Sequence, residues 1–184
     1  NIENIKWPTA PTRCNKTIYK PFKCWVRQST RHRTCGGVMV EIVFNDPRAE
    51  ERGIPDYATD GSAGLDLRSC DTCQLMPGES WGFHLGISIW IKDPSICGVI
   101  MPRSGLGIQG ILPANVVGLI DSDYQGELII HLANYSDKEY VVQNGDRIAQ
   151  LVFMPVRQMS FQIKNKFTEL TKRGEGGFGS TGNE

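Results

Sequence analysis

The sequence lacks the features that would assign it to a membrane, secreted or strongly charged class of protein. Its 184 residues contain no apolar run as long as a membrane span and no visible secretory signal at the start. The formal net charge is zero and the hydrophobic content is 40%. This length and composition predict one domain with a hydrophobic core, plus an extension. We therefore expect a cytoplasmic protein, or an organellar one if the extension is a targeting segment.

Histidines are scarce, and the six cysteines are poorly spaced for a metal site or a disulfide framework. Cys14, Cys24 and Cys35 are far apart, while Cys70 and Cys73 form a lone C-x-x-C pair. A zinc site needs a second pair or nearby histidines, and a thioredoxin-like site needs a βαβ context. Because this pair has neither, we expect reduced thiols and no metal there.

Acidic residues are nearly absent from residues 1–37, which hold eight Lys or Arg and only Glu3. The remaining residues hold twelve Lys or Arg and nineteen Asp or Glu. Residues 1–37 also show no sustained periodicity and include three prolines. We expect them to form a basic, disordered or loosely attached N-terminal extension. We expect no required nucleic acid and no membrane partner.

A convincing helix of three turns is missing, and residues 38–170 show the patterns of β-strands instead. The clearest strand covers residues 81–91, where six apolar residues recur at period two. These six are Trp81, Phe83, Leu85, Ile87, Ile89 and Ile91. Shorter runs of this kind cover residues 38–44, 97–101, 111–117, 127–133, 148–153 and 159–163. Short strands without a βαβ rhythm predict an all-β sandwich or jelly roll.

The end of the chain, residues 173–182, reads R-G-E-G-G-F-G-S-T-G and is too rich in glycine for a packed helix or central strand. Dense glycines let backbone N–H groups converge on an anion, and Arg173 adds a planar fork suited to phosphate. Phe178 has a free ring face for a planar ligand. Residues 171–184 are therefore predicted to be a mobile arm that closes over a nucleotide; the alternative is a plain disordered tail.

Four further stretches break the strand pattern. Asp66 lies between two leucines, which suits either an edge-strand carboxylate or a rigidly held functional one. Arg103, Ser104 and Gly105 follow Pro102, in a plain turn or a turn that binds phosphate oxygens. Gln150 is polar within an apolar run, so it is either structural or ligand-facing.

The fourth stretch, residues 115–127, is predicted to be a β-hairpin with an acidic turn. Asn115 and the neighbouring backbone offer the donors and acceptors that a pyrimidine needs. Tyr124 suits packing against a sugar, and Asp121 suits activation of a water. The alternative is an ordinary acidic turn.

Together these stretches resemble, in order and spacing, the five motifs of the trimeric dUTP pyrophosphatases (dUTPases), most closely the bacterial type. The motifs are A-G-L-D-L, P-R-S-G-L, G-L-I-D-S-D-Y-Q-G-E, G-D-R-I-A-Q-L and R-G-E-G-G-F-G-S-T-G. The resemblance spans residues 38–182 and implies a jelly-roll homotrimer whose three active sites each draw on all three subunits. It implies hydrolysis of dUTP to dUMP and pyrophosphate with Mg²⁺, which limits uracil incorporation into DNA and supplies dUMP for dTMP synthesis.

The resemblance also assigns roles to individual residues. Asp121 is the implied catalytic base, and Asp66 is the implied contact to Mg²⁺, through metal-bound water. The implied substrate-binding residues are Arg103, Ser104, Gly105, Asn115, Gly118, Tyr124, Gln150, Arg173, Phe178, Gly179, Ser180 and Thr181. Among these, Tyr124 would exclude a 2′-hydroxyl and Phe178 would cover the uracil.

Two alternatives stand beside this reading. The first is a dCTP deaminase, a class of enzyme that shares the fold. A resemblance to that class would require a catalytic glutamate within a T-L-E sequence, but the corresponding strand here, residues 130–134, reads I-H-L-A-N. A non-catalytic dUTPase-like regulator would tolerate losses at the catalytic positions, and this chain shows none.

Overall fold

The computed structural model describes residues 39–176, so the extension at residues 1–37 and the last part of the arm lie outside the described residues. The described chain contains β1 (Glu41–Phe44), α1 (Pro47–Arg52), β2 (Leu65–Arg68), β3 (Cys73–Leu75), β4 (Ser80–Trp90), β5 (Ile96–Met101), α2 (Ser104–Ile108), β6 (Ile111–Pro113), β7 (Gly118–Ile120), β8 (Glu127–Asn134), β9 (Tyr140–Val142) and β10 (Arg147–Pro155). Neither helix in this part of the chain is long and apolar enough to cross a membrane.

The strands form two four-stranded sheets and one two-stranded sheet, all antiparallel. The first sheet has the order β1-β4-β8-β6, the second β2-β10-β5-β7, and β3 pairs with β9. Most neighbours in a sheet are distant in the sequence, so the chain crosses repeatedly from one sheet to the other. This architecture confirms the predicted all-β class.

All three sheets contribute to one hydrophobic core. The six apolar residues predicted to share a face of the long strand are all buried, with exposed fractions of 8% or less. Phe83 of β4, Leu132 of β8, Leu67 of β2 and Val142 of β9 are 0–1% exposed. The period-two pattern therefore identified the core side of β4 correctly.

A glycine at the middle of β4 lets helix α1 pack against this core. Gly86 has a φ of +70°, and the pairing of β4 with β8 shifts register at this point. A Cβ at Gly86 would lie 2.6 Å from Asp46 Cβ, 2.8 Å from Cys70 Sγ and 2.9 Å from Ala49 Cβ. The side chain of Asp46 accepts a hydrogen bond from the Arg48 N–H and caps α1.

Cys70 is a free, fully buried thiol that packs under this helix. Its Sγ contacts the guanidinium of Arg52 at 2.8 Å and the carbonyl of Leu85 at 3.3 Å. Burial raises the pKa of the Cys70 thiol, although the nearby Arg52 opposes this. Cys70 is therefore not joined to Cys73 and serves as a packing residue. Cys73 is disulfide-bonded, so the expectation of reduced thiols at this pair is wrong for Cys73.

The prediction of a hairpin at residues 115–127 is wrong. Strand β7 pairs with β5 in the second sheet, whereas β8 pairs with β4 and β6 in the first. The two apolar runs that flank the acidic turn thus belong to different sheets. Neighbouring strands in a sequence usually pair, but here the turn carries the chain across the sandwich.

The strand predicted at residues 159–163 is also absent from the described structure. No strand is assigned there, and Met159, Phe161 and Ile163 are 71%, 96% and 96% exposed. Apolar alternation indicates which side chains favour burial, but it does not supply a neighbouring strand. Within residues 39–176, none is available for this segment.

Substitution of Gly86 by Ala should destabilise the fold for two reasons. The backbone at this position is in the left-handed region, and the new methyl group would collide with three neighbouring atoms. We expect a loss of about 2–4 kcal/mol in the free energy of unfolding. The matched control is Gly61→Ala, since Gly61 has an ordinary φ and no atom within 4 Å of its Cβ position. Urea unfolding at one protein concentration measures both, and equal midpoints for the two variants would contradict the packing role of Gly86.

Candidate functional site

Three adjacent strands of the second sheet align predicted site residues in one row. Gln150 of β10 lies opposite Asp66 of β2 on one side and opposite Met101 of β5 on the other. The chain leaves β5 immediately after Met101 and continues through Pro102 into Arg103. Residues that are separated by as many as 84 positions in the sequence are thus brought together at the end of the sheet.

Asp66 is the centre of this group because its carboxylate is shared by two arginines. Its Oδ1 lies 2.9 Å from Nε of Arg103, and its Oδ2 lies 3.1 Å from a terminal nitrogen of Arg147. The side chain of Asp66 is 24% exposed, so the pair of contacts is partly shielded from water. Both contacts are ion pairs, and the contact to Arg147 is also a hydrogen bond, so the carboxylate orients both guanidinium groups.

Arg147 was not among the residues predicted for the site. A regular strand would place Arg147 and Gln150, three residues apart, on opposite faces. The pairing of β10 with β2 shifts register between Arg147 and Ala149, and this irregularity lets Arg147 reach Asp66. The only sequence signal was a cation three positions before Gln150 within the fourth motif.

Gln150 is half-buried and is held by the turn that follows β5. Its Nε2 donates a hydrogen bond to the Pro102 carbonyl at 3.0 Å. Gly64 leaves room for this side chain, because a Cβ there would lie 3.0 Å from Gln150 Oε1 and 3.3 Å from its Cβ. Gln150 thus has a structural partner, the Pro102 carbonyl, and it also lies beside Asp66 on the neighbouring strand.

Arg103 is the N-cap residue of the short helix α2, and it is half-buried. Ser104 and Gly105, in the first turn of α2, are exposed. Leu106, the next residue, is buried and anchors the helix to the core. The turn therefore presents the hydroxyl and backbone of Ser104 and Gly105 to solvent beside the fixed guanidinium of Arg103.

The segment that contains Asn115 begins with a strained backbone. Val116 has a φ of +62°, which is unusual for a β-branched residue, and Val117 N–H donates to the Asn115 carbonyl at 2.6 Å. Gly118 then begins β7 opposite Ile100 of β5. Strain of this kind occurs at functional sites, where surrounding contacts enforce it. No pattern in the sequence distinguished Val116.

Asp121 and Tyr124 bracket a β-turn at the other end of β7. The Tyr124 N–H donates to the Asp121 carbonyl at 3.2 Å, and the Ser122 carbonyl accepts from the Lys92 N–H at 3.0 Å. Lys92 itself has a φ of +70°. The turn is therefore held both internally and by the loop that follows β4, a contact that sequence reasoning missed.

Within one copy of the chain, Asp121 and Asp66 are placed far apart. They belong to opposite edges of the second sheet, since β2 and β7 are its outer strands. Three strand spacings separate these edges, about 14 Å. Along the sheet, Ile120 lies opposite Gly98, and about 10 Å of strand separates Gly98 from Met101. The predicted catalytic base and the Asp66 group do not form one pocket in a single copy.

The remaining predicted residues belong to the C-terminal arm. Arg173 is exposed, and its Nε donates to the Gly176 carbonyl at 3.0 Å. Phe178, Gly179, Ser180 and Thr181 lie outside the described residues.

A cleft of about 310 Å³ reaches Asp66 and Arg147 from the side of α1. Its lining does not include Asp121, Asn115 or Tyr124. Among the described residues, no group of three or more His, Cys, Asp or Glu could hold a metal ion. The side chains around Asp66 are instead hydrogen-bond donors: the guanidinium groups of Arg103 and Arg147, the Ser104 hydroxyl and the Gln150 amide. Donors of this kind suit phosphate oxygens.

Comparisons with known proteins agree with these features. The family model described as dUTPase matches residues 50–182. The chain is 58% identical over 132 residues to the deoxyuridine 5'-triphosphate nucleotidohydrolase of Legionella pneumophila strain Paris, which covers 70% of this chain and 86% of the relative. It is 57% identical over 149 residues to the enzyme of the same name from Actinobacillus pleuropneumoniae serotype 3, which covers 79% and 98%.

Solved structures show the same fold at lower identity. The dUTPase of Staphylococcus bacteriophage 80alpha, solved with dUPNHPP, has a TM-score of 0.71 at 24% identity and covers 78% of this chain and 98% of its own. A dUTPase variant from phage phi11 of S. aureus, which coordinates a structural Mg(II) ion, has a TM-score of 0.64 at 20% identity and covers 71% and 99%. From the family model, the relatives and the fold together, the chain belongs to the dUTPase family.

Proposed function

We propose that the protein hydrolyses dUTP to dUMP and pyrophosphate. The observation that carries this proposal is the group around Asp66, in which the fold orients two arginines beside an exposed serine. The names of the curated relatives, deoxyuridine 5'-triphosphate nucleotidohydrolases, support the same substrate. Such an activity limits uracil incorporation into DNA and supplies dUMP for dTMP synthesis. A cytoplasmic location remains a prediction.

The triphosphate is bound by Arg103, Ser104, Gly105 and Gln150. Arg103 uses its Nε for Asp66, which leaves its Nη2 group for a phosphate oxygen. The Ser104 hydroxyl and the Gly105 backbone are exposed beside it. Because Asp66 fixes the guanidinium before substrate arrives, little orientation entropy is lost when the phosphate binds.

The nucleoside is bound by the segment on either side of β7. Asn115, Gly118 and the neighbouring backbone read the uracil through paired donors and acceptors. Tyr124 packs on the deoxyribose and leaves no room for a 2′-hydroxyl. The strained turn at Val116 fixes the backbone next to Asn115.

Asp121 is the general base. Its carboxylate accepts a proton from a water whose oxygen forms the new bond to the α-phosphorus. The bond from the α-phosphorus to the bridging oxygen breaks in line with this attack, and pyrophosphate leaves. Asp121 suits this role because it is exposed and its turn is fixed by hydrogen bonds on both sides.

The described residues fit a magnesium ion carried by the triphosphate better than one held in a protein cage. Asp66 is a single carboxylate, and each of its oxygens already forms an ion pair with an arginine. A carboxylate oxygen has further acceptor capacity, so Asp66 can contact a metal-bound water. Mg²⁺ prefers such sites, with water and phosphate oxygens as ligands, and it would neutralise charge on the phosphates.

The proposed active site is divided among the copies of a homotrimer. The separation between Asp121 and Asp66 in one copy supports this division, because the base must reach the α-phosphorus held near Arg103. Exposed apolar side chains near the C-terminus also provide a surface that could be buried against other copies of the chain. They include Met159, Phe161, Ile163, Phe167 and Leu170, which are 71–96% exposed.

The C-terminal arm, residues 171–184, closes the site. Arg173, Ser180 and Thr181 bind the γ-phosphate, while Phe178 and Gly179 cover the uracil. The exposure of Arg173 in the described structure is compatible with an arm that reaches a neighbouring copy.

The direct test is incubation with dUTP, dCTP or UTP in the presence of Mg²⁺. We expect pyrophosphate and dUMP from dUTP, with much slower release from UTP and no deamination of dCTP. Deamination of dCTP would instead place the chain with the deaminases of this fold. Tight binding of dUTP without any product would indicate a non-catalytic regulator.

Replacing Asp121 by Asn should lower turnover by about 10²–10⁴ while dUTP binding is largely kept, because only proton acceptance is lost. Asp123→Asn is the matched control, since Asp123 is an exposed carboxylate in the same turn. Steady-state kinetics and calorimetric binding of a non-hydrolysable analogue measure the two effects. Turnover within a few fold of wild type would remove Asp121 from the role of base.

Replacing Tyr124 by Ala should raise kcat/KM for UTP relative to dUTP, because the ring no longer excludes the 2′-hydroxyl. Tyr135→Ala is the control, since Tyr135 is exposed on a different loop. The measured quantity is the ratio of kcat/KM for the two substrates. An unchanged ratio in Tyr124→Ala would place the sugar discrimination elsewhere.

Deletion of residues 173–184 should remove most of kcat while the remaining chain still assembles. The glycine-rich arm must be ordered at an entropic cost that ligand contacts offset, and without it water enters the site. Light scattering checks assembly and steady-state kinetics checks kcat. A fully active truncated protein would contradict the closing role of the arm.

A further inference from the structure

The ring of Tyr124 lies directly against the backbone of Gly126. A Cβ at Gly126 would lie 2.6 Å from Tyr124 Cζ and 3.0 Å from its Cε2, and closer still to its Oη. Cβ atoms in folded proteins do not approach other heavy atoms this closely, so any side chain at position 126 must displace the ring. The position of Tyr124 therefore depends on the absence of a side chain two residues later.

The backbone of Gly126 does not itself require glycine. Its φ lies outside the left-handed region, unlike that of Gly86 or Gly145. No left-handed φ therefore calls for glycine here, and the three atoms nearest to its Cβ position all belong to the side chain of Tyr124. The steric requirement for glycine at this position comes from Tyr124.

The hydroxyl of Tyr124 fixes this same end of the ring. It donates a hydrogen bond to the Glu127 carbonyl at 3.0 Å. Glu127 is itself anchored to β4, because its Oε1 accepts from the Gly86 N–H and its Oε2 lies within 3.0 Å of His84 Nδ1. The acceptor thus belongs to a residue that is held at the start of β8 and cannot follow a displaced ring.

We propose that Gly126 is a positioning residue for sugar discrimination, because it lets the hydroxyl end of the Tyr124 ring lie against the chain. The proposal rests on the function proposed above for Tyr124. A methyl group at position 126 moves the ring away from the chain and breaks its hydrogen bond to Glu127. The space that excludes the 2′-hydroxyl then opens although Tyr124 is still present.

The test compares Gly126→Ala, Tyr124→Ala, the double variant and the control Gly61→Ala, whose new methyl group meets no atom within 4 Å. The readout is the ratio of kcat/KM for dUTP to that for UTP. We expect Gly126→Ala to lower this ratio about tenfold or more, the effect that we also expect of Tyr124→Ala. Gly61→Ala should leave the ratio unchanged, and the double variant should match Tyr124→Ala alone.

These comparisons separate the two ideas. A ratio lowered by Tyr124→Ala but not by Gly126→Ala overturns the role of Gly126 alone. A ratio changed by neither substitution contradicts the sugar contact of Tyr124, and the proposal falls with it. A further loss from Gly126→Ala in a chain that already lacks the ring overturns the proposal, because Gly126 would then act by another route.

A spectroscopic measurement on the free protein tests the geometry without catalysis. In protein labelled with fluorotyrosine, the ¹⁹F signal of Tyr124 is identified by its loss in Tyr124→Phe. Gly126→Ala should shift this signal and Gly61→Ala should not; an unmoved signal overturns the proposal. If Gly126→Ala fails to fold, the added Tyr124→Ala substitution should restore folding, and a double variant that also fails contradicts the steric argument.

Discussion

The order of strands in the second sheet is the constraint on which the proposed site depends. Because β2 and β7 are its two outer strands, the carboxylate that orients the arginines and the turn that carries Asp121 are fixed at opposite edges. Each half is rigid in itself: Asp66 bridges Arg103 and Arg147, and Asp121 lies in a turn held by Lys92. In the proposed function one copy of the chain supplies two half-sites, and a complete site combines halves from different copies.

Much of this could be predicted from the sequence, because the relevant signals are local. The period-two run in β4 predicted its buried residues correctly, since burial on one face of a strand has a direct sequence signature. The five motifs identified the family and the candidate residues, and glycines and prolines separated the strands. For Asp66 and Gln150 the sequence offered a structural and a functional interpretation each; Asp66 does lie on an edge strand, and Gln150 does have a structural partner.

The features that escaped prediction depend on long-range pairing or on close approach of atoms. Residues 115–127 look like a hairpin because both flanking runs are apolar, yet β7 and β8 join different sheets. Arg147 reaches Asp66 only because an irregularity in β10 changes its direction. The apolar side chains at residues 159–163 have no cover within the described chain, and the contact of Tyr124 with Gly126 requires coordinates to be seen.

The division of the active site can be measured by mixing subunits. Asp121→Asn and Arg103→Ala variants, each nearly inactive alone, are co-expressed so that mixed trimers assemble. If Asp121 and Arg103 of one site come from different copies, random assembly leaves about a quarter of the sites intact, and the mixture should show about that fraction of wild-type kcat. A mixture no more active than the separate variants would mean that both residues of a site belong to the same copy, which contradicts the divided site.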